Sequence, residues 1–312
     1  MSVEPPSFRH PGSPPQLPEV PDGVTPAPQP GPARDGRPGG RGDWPPFAPW
    51  WGPLAAAAVA FIVAIVAFGI IAAFVEAAGT DIDADDLPTG VTVGGTIVQD
   101  AALIVCAVLF AGMGGRRPRP GHFGLRRTAF WPAVGWAALT MFAFYAVSFV
   151  WSIAIGIEES DDLAVDLGAG DSTLNLVVVA VLVALIAPVA EEFFFRGYMF
   201  GALGARWGLV PALVAVGIVF GLIHAGGTAI EFLLPLAVLG GLLCLLYRLT
   251  DSLLPCMALH AINNAVALGV TLEWEAWQVL AGAAAAPLLV VAVVLPLCEP
   301  RRERAGSVPA FS

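Results

Sequence analysis

From Pro53 onward the chain alternates between long apolar runs and short polar segments. Several runs exceed the roughly 18 apolar residues that mark a bilayer-spanning helix. Eight of them stand out, at residues 53–77, 93–113, 129–155, 173–200, 208–225, 231–249, 253–270 and 277–298. The fold class expected is therefore all-α: a polytopic membrane protein of about eight transmembrane helices, with the helical domain over residues 51–300. The first fifty residues break this pattern. They are crowded with Pro and Gly, hold no apolar segment of signal-peptide type and cannot bury enough surface to fold. A disordered cytoplasmic tail is expected over residues 1–50, and a short basic cytoplasmic tail over 301–312. Trp44, Trp50 and Trp51 suit an interfacial aromatic belt before the first span.

Composition agrees with lipid as the solvent. Apolar residues make up 57% of the chain and charged residues 13%, about half the charge of a soluble domain. The charges alternate along the loops. TDIDADD and EESDDLAVDLGAGD are acidic, whereas RRPRPGHFGLRR holds five arginines. Arg34, Arg37 and Arg41 precede the first span; Arg206, Arg248, Arg301, Arg302 and Arg304 fall on the same side as the basic loop. The positive-inside rule then places both termini in the cytoplasm, in agreement with an even number of spans. The net charge of −10 sits in the acidic loops and gives no sign of a nucleic-acid partner. The chain is rich in alanine and has no lysine, which suggests a GC-rich bacterial genome and so the bacterial plasma membrane. Cys106, Cys244, Cys256 and Cys298 lie in or beside apolar runs, without a CxxC pair or zinc-ligand spacing.

Few polar groups enter the spans, where a charge costs about 2.5–3.5 kcal/mol on insertion scales. They are Asp100, Glu191, Glu192, Arg196, His224, Glu231, His260, Asn263 and Asn264. Three groups fall at four-residue spacing, hence on one helical face each: Glu192 with Arg196, Phe220 with His224, and His260 with Asn264. Pro188 precedes the glutamates by about one turn and is expected to kink its helix there. Each cluster alone also reads as structure: an ion pair at a helix end, a packed histidine, or asparagine joining helices. Together, two carboxylates, two imidazoles and an amide form a hydrolytic inventory.

In that inventory Glu191 is the candidate general base, a carboxylate beside a second carboxylate in low-dielectric surroundings. Glu192 pairs with Arg196, His224 orients the water, and His260 and Asn264 donate to the oxyanion. The same atoms allow a metal reading. Glu191, His224 and His260 could hold Zn2+ or another divalent ion, although no HExxH is present. Helical rise sets His260 about 10 Å and His224 about 20 Å or more from the face bearing the basic loop, if the fifth span starts at Leu209.

The motifs EEFFFR (Glu191–Arg196), FGLIH (Phe220–His224) and HAINN (His260–Asn264) resemble the EExxxR, FxxxH and HxxxN motifs of the CPBP family. These are the CAAX-protease and bacteriocin-processing, or Abi, intramembrane proteases. The likeness covers roughly residues 170–270, with the motifs in order on consecutive regions. It implies an intramembrane endopeptidase, glutamate-dependent or of metalloprotease type, acting on a membrane-associated protein or peptide inside the lipid bilayer. It also implies that Glu191, Glu192, Arg196, His224, His260 and Asn264 are the catalytic set. A proton-coupled transporter or a catalytically idle membrane scaffold are the alternatives.

Two further patterns are decoys. GAGD (Gly168–Asp171) matches the GxGD of intramembrane aspartyl proteases, with Asp100 as its only available partner, but Asp171, Ser172 and Thr173 suit a helix N-cap. DIDADD starts like a calcium loop yet lacks its glycine and its last glutamate. Asp100 has no role in any of these readings beyond a bonded structural carboxyl or a neutral acid.

Overall fold

The computed structural model describes Phe47, Pro49 and residues 51–80, 82, 87–113, 117–157, 163–225 and 227–301. The tail apart from Phe47 and Pro49, with Trp44 and Trp50, most of the first acidic loop, residues 158–162 of the second, Arg302 and Arg304 lie outside the described residues. Eight helices carry the fold: α1 Gly52–Ala77, α2 Thr89–Gly112, α3 Phe130–Ile155, α4 Thr173–Trp207, α5 Leu209–Leu222, α6 Ile230–Thr250, α7 Leu254–Thr271 and α8 Ala276–Val294. A one-turn helix, Leu163–Asp166, precedes α4, and the described residues contain no strand. Helices alone suit lipid, because each satisfies its own backbone hydrogen bonds.

Seven of the eight are long and apolar enough to cross a membrane, and the chain is a multi-pass integral membrane protein. The eighth, α5, has only 14 residues. Its rise is about 21 Å, short of the roughly 30 Å hydrocarbon core, so it does not match the full span expected at 208–225. The fourth helix differs the other way. It continues to Trp207 rather than ending near residue 200, and Gly208, at φ 86°, makes the sharp break into α5.

Burial sorts the helices by neighbour. α1, α3 and α8 expose most of their apolar surface, including Phe74, Phe142 and Leu288. α4, α6 and α7 form the interior. α4 packs against α2, α5, α6 and α7, while α1 pairs with α2, α3 and α5 with α6, and α8 with α7. The basic loop is laced to the ends of two helices. Arg126 donates to Asp251 at 2.8 Å and to the Gly121 carbonyl. Gly121 N–H donates to Glu299 at 3.1 Å, and Ser252 Oγ to the Arg126 carbonyl at 2.6 Å. The α2–α3 loop, the α6–α7 turn and the end of α8 therefore share one face, as the charge pattern requires.

At the opposite face, Ser172 caps α4, its Oγ accepting the Asn175 N–H at 3.1 Å. Asp171 accepts from Thr89 Oγ1, at the start of α2, at 2.9 Å. Asp100 lies eleven residues further along α2, about 16 Å by helical rise. The GxGD aspartate and Asp100 therefore cannot form a pair, and Asp171 belongs to the cap.

The α5–α6 contact is a close backbone approach. Gly217 and Gly221 form a GxxxG pair on α5, facing Ala237, Gly240 and Gly241 on α6. A Cβ at Gly217 would stand 2.6 Å from the Ala237 carbonyl oxygen, backbone that cannot give way. Gly217→Val is expected to separate the two helices and cost about 1–3 kcal/mol, read as a lower thermal midpoint of the detergent-solubilised protein. An unchanged midpoint would mean that this contact is loose.

Candidate active site

The site is built around an irregular stretch of α4. Leu182–Ile186 and Phe193–Phe200 are π-helical, on either side of a short α-helical piece, Ala187–Glu192. π-helical turns are rare and concentrate at functional positions. Pro188 accounts for the first segment. In the π register Ala187 N–H bonds to the Leu182 carbonyl, so the Val183 carbonyl faces residue 188, a proline without N–H. Asn264 on α7 fills the gap: its Nδ2 donates to the Val183 carbonyl at 2.8 Å. The kink expected at Pro188 is thus a change of helical register, tied to α7 by an asparagine. One amide N–H of Asn264 is committed to that tie, and its Oδ1 accepts from Asn263 at 3.3 Å.

The register turns both glutamates inward, where they are buried with Arg196 and His260. Glu192 Oε1 accepts from Arg196 Nη1 at 2.7 Å and from His260 Nδ1 at 2.9 Å. The ion pair with Arg196 orients the imidazole: Nδ1 carries a hydrogen toward Glu192, and Nε2 turns to Glu191, 3.9 Å from its Oε2. Arg196 Nη2 donates to the Gly240 carbonyl at 2.9 Å, and its guanidinium carbon lies 4.5 Å from the Phe220 ring centroid. Glu191 Oε2 has no hydrogen-bond partner within the protein.

The two glutamates, Arg196 and His260 thus converge directly. His224 joins through a ring. It sits just beyond α5, half-buried, with Nδ1 on the Phe220 carbonyl at 2.8 Å. Phe220 lies between the two histidines, 5.1 Å from His224 and 5.7 Å from His260 between ring centroids. Tyr145 reaches Asn263 at 3.4 Å. Glu231 lies in the exposed first turn of α6 and supplies only its backbone carbonyl, to Trp151 at 2.8 Å.

The depth mismatch between α5 and α7 has a structural answer. Glu191 lies sixteen residues before Trp207 and His224 fifteen residues after Leu209, on the two sides of the α4–α5 break, so the two sit at similar depth. α7 instead starts low. Ser252 and Leu253 are fully buried beneath the basic loop, with Leu253 N–H on the Gly124 carbonyl at 2.9 Å. His260, six residues after Leu254, therefore reaches the level of Glu192.

Two contributors escaped the sequence reading. Phe220 was a spacing mark, yet its ring bridges Arg196 and both imidazoles. Gly240 supplies the carbonyl for Arg196, and its only sequence signal is the small-residue pattern of α6.

The expected metal set is not assembled. Among the described residues no group of three His, Cys, Asp or Glu side chains is placed to hold a metal ion. Glu191 and His260 come together without His224, which is joined to them only through the Phe220 ring.

Buried acid and base side chains of α4 and α7 thus meet inside a membrane protein, with His224 joined to them through the Phe220 ring. The comparison with known families narrows the class of protein. Residues 173–266, from α4 into α7, match the model of the Rce1-like family, described as type II CAAX prenyl endopeptidase Rce1-like. No curated protein and no solved structure matches the chain. The match supports a protease of CAAX-protease type with a membrane-associated substrate.

Asn264→Leu should orphan the Val183 carbonyl and destabilise the protein by about 1–3 kcal/mol. The cost should be clearly smaller in a Pro188→Ala background, where the helix regains the missing N–H. A double-mutant cycle on thermal unfolding measures the coupling, and strict additivity would contradict the pairing.

Proposed function

We propose that this protein is an intramembrane endopeptidase that hydrolyses a peptide bond of a membrane-associated protein or peptide, with Glu191 as general base. The observation that carries the reading is the shared Glu192 oxygen: it holds Arg196 and His260 in place and leaves Glu191 unbonded beside the imidazole. Glu191 Oε2 removes a proton from water as the water oxygen attacks the scissile carbonyl. Glu192 is a positioning group, aligning His260 much as a carboxylate aligns a catalytic histidine elsewhere. His260, entering the cycle with hydrogens on both ring nitrogens between the Glu192 and Glu191 carboxylates, lends its Nε2–H to the oxyanion and keeps that proton throughout, and the uncommitted N–H of Asn264 is a second donor. One such donor is typically worth about 2.7–4 kcal/mol. His224 Nε2, half-buried at the end of α5, orients the incoming water.

The proposed hydrolysis is glutamate-dependent, because the donor set does not gather as a cation site. The substrate class that fits the Rce1-like match is a lipid-anchored peptide, with a prenyl-cysteine tetrapeptide the first to test.

The test uses the full chain in proteoliposomes and a panel of bilayer-anchored peptides that includes a prenyl-cysteine tetrapeptide. Glu191→Gln should lower kcat by at least about 100-fold while leaving the thermal midpoint in place. Removal of divalent ions by a chelator should leave the rate unchanged. Retained cleavage in Glu191→Gln would remove the base. Loss on chelation, reversed by Zn2+, would replace it with a metal-bound water. Proton flux without hydrolysis of any peptide would favour a transporter.

A further inference from the structure

One buried acid takes no part in the scheme above. Asp100 lies midway along α2, 2% exposed, and neither carboxylate oxygen has a hydrogen-bond partner within the protein. A structural carboxyl at this depth would be bonded, since an unpaired polar group in an apolar site costs several kcal/mol at most reference states. Asp100 bonds to nothing and so holds nothing in place. It lies close enough to Glu191 for their charges to interact, on a helix packed against the Ala187–Glu192 piece and the π-helical segments beside it. The ionisable side chains on that stretch are Glu191, Glu192, Arg196 and Tyr198, and Glu192 and Arg196 are spent on each other. α1, along the other side of α2, has no ionisable residue from Gly52 to Val75. Asp100 is therefore a buried, unpaired acid on the helix that packs against the Glu191-bearing piece of α4, and it lies outside the residues matched to the family model.

We propose that Asp100 is a further catalytic residue, the general acid that protonates the departing amine. The proposal rests on Glu191 as the base. Peptide hydrolysis needs a proton removed from water and another delivered to nitrogen, which leaves poorly as an anion. Glu191 takes a proton from water as the O–C bond forms. The neutral Asp100 carboxyl then gives its proton to nitrogen as the C–N bond breaks. The products are a carboxylic acid and an amine, with one water consumed. The proton on Glu191 passes to the Asp100 carboxylate and returns both groups to their starting forms. Two carboxyls divided between acid and base in this way follow a recurrent pattern of enzyme chemistry.

The experiment compares an anchored peptide that the wild type cleaves with the same peptide carrying an ester at the scissile position. An ester expels an alkoxide, which needs far less help from an acid than an amine does. Asp100→Asn should lower kcat on the amide by about 100-fold or more, with KM and thermal midpoint unchanged. The ester should be cleaved at close to the wild-type rate. Asp100→Leu, matched to an apolar position, should show the same split if the Asn variant is not recovered. Equal losses on amide and ester, or no loss on the amide, would overturn the proposal. Glu191→Gln, by contrast, should lose both substrates, because water must attack in either case. Activity surviving in that variant sinks the base and leaves the Asp100 result readable on its own.

Discussion

A single carboxylate oxygen, Glu192 Oε1, organises the site. It accepts from a guanidinium four residues along its own helix and from an imidazole on α7. Two charges buried this far from water are tolerable only when each is paired and hydrogen-bonded, and removing one partner of such a pair typically costs about 3–5 kcal/mol. That cost is what makes the arrangement directive. Arg196 has to reach Glu192, so α4 cannot rotate away from α7. Its second donor has to find Gly240, so α6 must come within one glycine of α4. The close α5–α6 approach that follows sets Phe220 over the guanidinium and beside both imidazoles. In this sense the glycines of α5 and α6 serve the chemistry, although none of them bears a functional group.

The pair also divides labour between two adjacent acids. Glu192 commits one oxygen, Oε1, to both Arg196 and His260 and fixes geometry. Glu191 is bonded to neither Arg196 nor His260, and its Oε2 stands 3.9 Å from the imidazole Nε2. Sequence adjacency places them about 100° apart around the helix, so one faces the Arg196–His260 side while the other faces the approach from α2.

Most of the helix layout was legible beforehand because lipid imposes it. Runs of the required length have few alternatives, and the expected ends of α1, α3, α6 and α7 agree with the structure to about a residue. The four-residue spacings were legible too, and they brought Glu192 to Arg196 as anticipated. What escaped notice was register. A period of 3.6 assumed throughout α4 hides its two π-helical segments, and only Pro188 hinted at them. The Asn264 tie to Val183 was equally hidden, because the partners are 81 residues apart and one of them is a backbone carbonyl. The reach of α4 to Trp207 was missed because Gly201–Trp207 reads as a glycine-punctuated loop, whereas its glycines are buried against neighbouring elements. The level of α7 could not be read from its own residues, since the basic loop and the α6 turn set it.

The altered register gives α4 a phase as well as a length. Each residue turns an α-helix by about 100°, so the Leu182–Ile186 segment acts as an angular offset between the capped end of the helix and its carboxylates. Side chains in that stretch can vary widely among apolar types without disturbing it. Loss of a single residue there would swing both acids out of the interior toward hydrocarbon, even if every functional group were retained. The count of residues between Ser172 and Glu191 is therefore as much a part of the site's design as the acids themselves.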